Sequence, residues 1–205
     1  MTLEIWIAFA LASAALLAIP GPTVMLVVSY ALGRGRQSGW ATVPGVTLGD
    51  FTAMTISLAG AGAILAASAT LFTVLKLVGA AYLIWLGIGL LRAKPALPAA
   101  EKQRAGLKAM FLNSYVVTAL NPKGIVFFIA FVPQFIDPAQ PVLLQLIVLE
   151  ATFLGLAALN TLIWVLLAGE MRTRSSDART LKWVNRVGGS LMISAGILSA
   201  FARRA

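Results

Sequence analysis

The sequence predicts an all-α integral membrane protein: six transmembrane helices arranged as two inverted-topology three-helix repeats, with helices 1 and 4 broken at proline motifs. Three observations carry this expectation. The 205 residues are 60% hydrophobic and 11% charged, with a mean hydropathy of +0.91; a soluble domain carries about 25% charged residues. The apolar residues gather in runs long enough to cross a hydrocarbon core, which takes about twenty residues per helix. Finally, the two halves of the chain repeat one another.

The runs place six spans at roughly 3–32, 40–67, 71–91, 109–132, 142–168 and 183–202. The connections "GRGRQSG", "AKPALPAAEKQRAG", "PQFIDPAQP" and "EMRTRSSDART" are polar or rich in helix breakers, and none is long enough for a second domain. The whole chain, 1–205, therefore reads as one transmembrane domain, with repeat 1 at about 1–92, a cytoplasmic linker at 93–108 and repeat 2 at about 109–205. The N-terminal run lacks a basic leader, carries Glu4 and continues past any signal-peptide length, so it reads as the first permanent span.

Charge orients these spans. Arg34 and Arg36, then Arg92, Lys94, Lys102, Arg104 and Lys108, then Arg172, Arg174, Arg179 and Lys182 all fall in or beside the first, third and fifth connections. Lys and Arg favour cytoplasmic loops, so both termini are expected outside, with Arg203 and Arg204 running against the rule.

The first span contains "LLAIPGPTVMLVV", Leu16 to Val28. A proline removes a backbone donor and clashes with the preceding turn, so Pro20-Gly21-Pro22 marks either an end or an interruption. The second half favours interruption. "AIPGPT" (Ala18–Thr23) aligns with "ALNPKG" (Ala119–Gly124), Asp50-Phe51-Thr52 with Glu150-Ala151-Thr152, and "VGAAYLIWLGI" (Val78–Ile88) with "VGGSLMISAGI" (Val187–Ile197). All three pairs keep one order at an offset of about one hundred residues, as a duplication would. Three spans per half is an odd number, so the second half inserts upside down. Inverted repeats with interrupted helices at matching positions place a substrate site at mid-membrane.

The same residues supply the candidate site. Asp50 and Glu150 fall about ten and eight residues into their spans, roughly 12–15 Å deep at 1.5 Å per residue. A carboxylate at that depth is costly and faces a cavity, pairs with a cation or carries a proton. Gly45 and Gly49, just before Asp50, have the spacing that lets another helix approach closely. Asn121, Pro122 and Lys123 form the second break, and Lys123 has three roles open to it: pairing with an acid, meeting a substrate carboxylate, or snorkelling. The half-helix starting near Pro22 or Thr23 points free amides into the break, which suits an anion. Thr42, Thr47, Thr52, Thr55 and Asn160 read as interhelical hydrogen-bonding groups, and Trp40, Trp85, Trp164 and Trp183 as interfacial belts.

Several classes are excluded. The chain has no Cys and no His, so thiolate chemistry and the usual metal sites are absent, and no cofactor or metal is expected. No P-loop occurs, so a transporter of this sequence needs an ion gradient or a partner that supplies the energy. The net charge of +9 comes mostly from residues between apolar runs, which argues against nucleic acid.

The ordered set "PGP", "GRGRQSGW", "GVTLGD", "LKLVGAAYLIWLGIGLL" and "LNPKG" resembles the LysE/RhtB amino-acid exporters over essentially the whole chain. The resemblance implies a non-enzymatic inner-membrane exporter of amino acids such as lysine, homoserine, threonine or leucine, driven by protons and compatible with a homodimer in the lipid bilayer. By matching position, it implies Pro20, Gly21 and Pro22 for the first break, Asp50 for the motif acid, and Asn121, Pro122 and Lys123 for the second break. Glu150 rests on the internal repeat instead. A channel or non-transporting scaffold is the alternative class; an intramembrane acid protease is remote, because it needs two carboxyls sharing a proton.

Overall fold

The computed structural model describes residues 1–67 and 106–171, with isolated positions between 74 and 92 and between 186 and 197. The expected third and sixth spans, the linker at 93–105, the Val78–Ile88 and Val187–Ile197 pair, Arg172 to Lys182, Trp183, Arg203 and Arg204 lie largely or wholly outside the described residues.

The described residues form helices and no strand: α1 (Leu3–Ala18), α2 (Pro22–Arg34), a 3₁₀ turn (Gly35–Ser38), α3 (Gly39–Ala67), α4 (Leu107–Ala119), α5 (Pro122–Ala130), a second 3₁₀ turn (Val132–Phe135) and α6 (Val142–Met171). The order is a short pair followed by a long helix, twice. The polar "GRGRQSG" is not an open loop, since the 3₁₀ turn carries the chain directly from α2 into α3. Gly35, at φ 74°, makes the corner that an L side chain would resist. The 133–141 connection is tied down by buried Gln145, which accepts from the Asp137 amide at 2.9 Å and donates to the Asp137 carbonyl at 2.8 Å.

Proline chemistry explains both interruptions. A residue before proline is driven from the helical to the extended region. Ile19 (φ −77°, ψ 119°) ends α1 ahead of Pro20, and Asn121 (φ −71°, ψ 110°) separates α4 from Pro122. Pro22 and Pro122 then open α2 and α5, where a missing N–H costs nothing. The pairs Leu3–Ala18 with Pro22–Gly60 and Leu107–Ala119 with Pro122–Phe135 bend by 56° and 44° at these points.

Val142–Glu170 is long and apolar enough to cross a membrane alone, and each bent pair is so when counted as one span. Leu143, Leu144, Ile147, Leu159, Ile163 and Leu167 of α6 are exposed. An apolar surface of that extent suits lipid and not water.

The long helices hold the bundle together: α3 packs against α4, α5 and α6, and α6 also meets α1 and α2. The α3–α4 approach is very close. A Cβ on Gly45 would stand 2.6 Å from the Phe111 carbonyl oxygen, and one on Gly49 would stand 2.8 Å from that of Tyr115. The expected small-residue contact is thus present, and it turns one face of α3 toward α4.

Two apolar clusters flank the middle of the bundle. Phe127 stacks on Phe131 at 4.8 Å, and Phe128 meets Phe153 edge-on at 4.9 Å, in a core that includes Phe9, Leu16 and Leu149. Val27, Val46 and Val165, with Trp164 against them, form the second.

Candidate functional site

The two breaks meet. Lys123, second residue of α5, reaches back to the end of α1, and its Nζ donates to the carbonyls of Leu16 and Ile19, each at 3.0 Å. The break leaves the Ile19 carbonyl without a backbone donor, while the Leu16 carbonyl also accepts the Ile19 amide at 3.3 Å, and α1 has no basic residue of its own in its last turn. Of the three roles open to Lys123, pairing with an acid is not the contact made: the ammonium caps a helix from the other half of the chain.

The two restarted helices differ at their N-termini. Asn121 caps α5, its Oδ1 accepting from the Lys123 amide at 3.1 Å. Gly21 precedes α2 and offers no side-chain cap. The first backbone bond of α2 runs from Met25 N to Gly21 O, which leaves the Thr23 and Val24 amides ahead of the ladder. Thr23 Oγ1 is held by Thr118 Oγ1 and by Asn121 Nδ2, both at 3.2 Å, so the two breaks are stitched by side chains as well.

Around this junction lies a cavity lined by Leu16, Gly21, Thr23, Val24, Thr118, Asn121, Lys123 and Gly124 from the broken pairs, and by Val46 and Asp50 from α3. Helix α6 contributes Phe153, Asn160, Thr161 and Trp164. Its volume is about 30 Å³, room for a few waters and not for an amino acid. Phe153 and Leu16 belong to the first apolar cluster, and Val27, Val46 and Trp164 pack in the second, so the space lies between them.

Asp50 is 7% exposed and, among the described residues, has no hydrogen-bond or ion-pair partner. Lys123 is near enough to act on it electrostatically, while the two stay beyond ion-pair contact. A buried carboxylate without a partner costs several kcal/mol by order of magnitude. The cavity therefore presents an unpartnered carboxyl group, a lysine with two of its three donors engaged, and an uncapped helix N-terminus.

Of the sequence candidates, Gly21, Thr23, Asp50, Asn121 and Lys123 line the cavity, and Pro20, Pro22 and Pro122 shape its walls by ending and starting helices. Glu150 does not line it. Its Oε1 accepts from Thr55 Oγ1 at 2.7 Å, five residues along α3 from Asp50, which makes it an interhelical tie. Trp164, read as interfacial, lines the cavity, whereas Trp40 is 84% exposed. Thr42, Thr47 and Thr52 donate to the carbonyl four residues back; of the three, Thr52 also makes the expected interhelical bond, 3.4 Å from the Tyr115 hydroxyl of α4. Thr118, Asn160 and Thr161 were not legible as site residues: single polar groups in apolar helices carry no periodicity that shows which way they face.

Comparison with known proteins gives the same picture at whole-chain scale. A homoserine/homoserine lactone efflux protein of Salmonella typhi is 33% identical over 208 aligned residues, covering 100% of both chains. A membrane protein of Vibrio cholerae is 31% identical over 204 residues, 99% of this chain and 100% of that one. A leucine efflux protein of Salmonella choleraesuis is 30% identical over 176 residues, 85% and 82% of the respective chains. No solved structure matches the chain. The family model described as LysE type translocator matches residues 14–202. With its broken helices, lipid-suited surface and small cavity at the breaks, the chain belongs to the LysE translocator family.

Proposed function

We propose that this protein is a secondary transporter that exports amino acids across the cytoplasmic membrane, exchanging them for protons. Asp50 receives the α-ammonium group. The free donor of Lys123 and the Thr23 and Val24 amides receive the carboxylate. The observation that carries this reading is Asp50: a carboxyl group at 7% exposure, lining the cavity at the two breaks and lacking a hydrogen-bond or ion-pair partner among the described residues.

The relatives' names support the emphasis on the ammonium. Homoserine, homoserine lactone and leucine all carry an α-amino group, but a lactone has no free carboxylate. The group common to all three is the one an acid recognises.

Proton exchange follows from the same cost. The cavity closes most readily when Asp50 is neutralised, either by a proton or by the substrate ammonium, and one carboxylate accepts one of these at a time. Export of a zwitterion against entry of one proton then moves one net positive charge inward. Alternating access is provided by six spans in two inverted halves, whose described parts repeat a broken pair and a long helix in order. Pro20–Pro22 and Asn121–Lys123 form the paired breaks, and the protein is a multi-pass inner-membrane protein that functions as a monomer or a homodimer.

The test is transport by purified protein in liposomes carrying a pH gradient and a panel of labelled amino acids. Saturable, gradient-driven flux that an uncoupler collapses is expected, with Asp50→Asn suppressing it. Unsaturable flux, or full transport by Asp50→Asn, refutes the assignment.

A further inference from the structure

Two polar side chains in the cavity remain unexplained by ammonium and carboxylate binding. Asn160 and Thr161 sit next to each other on α6, both line the cavity, and neither has a hydrogen-bond partner among the described residues. Thr161 is 4% exposed. Four other helical threonines satisfy themselves locally, Thr42, Thr47, Thr52 and Thr152 each donating to the carbonyl four residues earlier at 2.7 to 3.1 Å, and Thr55 and Thr118 donate across helices. Thr161 makes no such bond, and its hydroxyl is left for whatever occupies the cavity. A polar group that lines a cavity without a protein partner is available to pair with what the cavity holds.

Position narrows that reason. The α-ammonium and carboxylate are assigned to α3, α5 and the start of α2, so the substrate's side chain is left facing α6. The wall there is aliphatic and aromatic, from Val27, Val46, Phe153 and Trp164, with Asn160 and Thr161 as its polar points. An amide and a hydroxyl both donate and accept, so they match a neutral group that does the same. A charged side chain finds no counter-ion, because Asp50 and Lys123 are already engaged.

We propose that Asn160 and Thr161 are specificity-determining residues that read the transported side chain, favouring a short, neutral, hydrogen-bonding one over its aliphatic isostere. This rests on the exporter reading above. The physical basis is asymmetric: an aliphatic side chain fits the same space but leaves the amide and hydroxyl unpaired, and a site built to hydrogen-bond rejects an analogue lacking the partner more strongly than one methylene is discriminated.

The test uses isosteric pairs, threonine with valine and homoserine with norvaline, in proteoliposomes of the full chain. The wild type is expected to show a kcat/KM at least about tenfold higher for the hydroxylated member of each pair. In Thr161→Val, of near-identical shape, and in Asn160→Leu, that ratio falls toward one through loss of the hydroxylated member's flux. A wild-type ratio near one, or a ratio unchanged in Thr161→Val, overturns this inference while leaving an exporter in place. Absence of any amino-acid flux in the wild type overturns the exporter reading and this inference with it. Should Asn160→Leu fail to accumulate, the wild-type and Thr161→Val ratios still decide.

Discussion

The ammonium of Lys123 lies 3.0 Å from the carbonyl oxygen of Leu16, 107 residues earlier in the chain. A second carbonyl, that of Ile19, shares it at the same distance. One side chain thus caps the broken end of α1 and brings the second break against the first. It also accounts for a lysine in the middle of an apolar span: the half-helix end it meets carries partial negative charge.

Lys123→Met should therefore weaken both structure and transport. Two carbonyls lose a charged donor, and hydrogen bonds to charged groups contribute about 1.5–3 kcal/mol each. A lower melting temperature in detergent and a loss of carboxylate-bearing substrate flux are expected. An unchanged melting temperature would show that water replaces the ammonium at no cost.

Asp50→Asn should separate stability from function. The carboxylate is buried and unpartnered, so its neutral isostere relieves a desolvation cost and the melting temperature rises or holds. Binding of the substrate ammonium falls sharply, because breaking a buried ion pair costs about 3–5 kcal/mol. Ligand-induced thermal stabilisation measures both effects in one experiment; a destabilised Asn variant would indicate that Asp50 is structural.

Gly21→Asp tests the uncapped helix. Gly21 sits at φ −109° and ψ −168°, which any L residue adopts, and an added Cβ would lie 3.5 Å from Lys123 Nζ, in ordinary contact. A carboxylate there caps α2, a gain over glycine of roughly a few tenths of a kcal/mol, and occupies the place proposed for the substrate's carboxylate. Higher stability with loss of zwitterion binding is the expected pair of outcomes, read by melting and by competition with a labelled amino acid.

Close helix contact predicts opposite signs for two glycines. Gly45→Ala places a methyl 2.6 Å from the Phe111 carbonyl oxygen and should cost about 1–3 kcal/mol as α3 is pushed off α4. A Cβ on Gly155 in α6 would meet nothing within 4 Å among the described residues, so Gly155→Ala should gain up to about 1 kcal/mol from helix propensity. Chemical or thermal unfolding in detergent compares the two.

What the sequence determined by itself was whatever depends on neighbours along the chain. Unbroken apolar runs make helices suited to lipid; Pro20, Pro22 and Pro122 interrupt and restart them; Gly45 and Gly49 admit a close neighbour; Asp50 stands out as an acid where acids are costly. Tertiary structure decided the rest, because α3 and α6 are apolar on all sides and their sequences do not specify a rotation about the axis. Packing of Gly45 and Gly49 against α4 fixes which face α3 turns to its neighbours. On α6, packing takes Asn160, Thr161 and Trp164 into the cavity and leaves Glu150 to Thr55. The partner of Lys123 was beyond local reading for the same reason: the carbonyls it caps are created by a break in the other half of the chain.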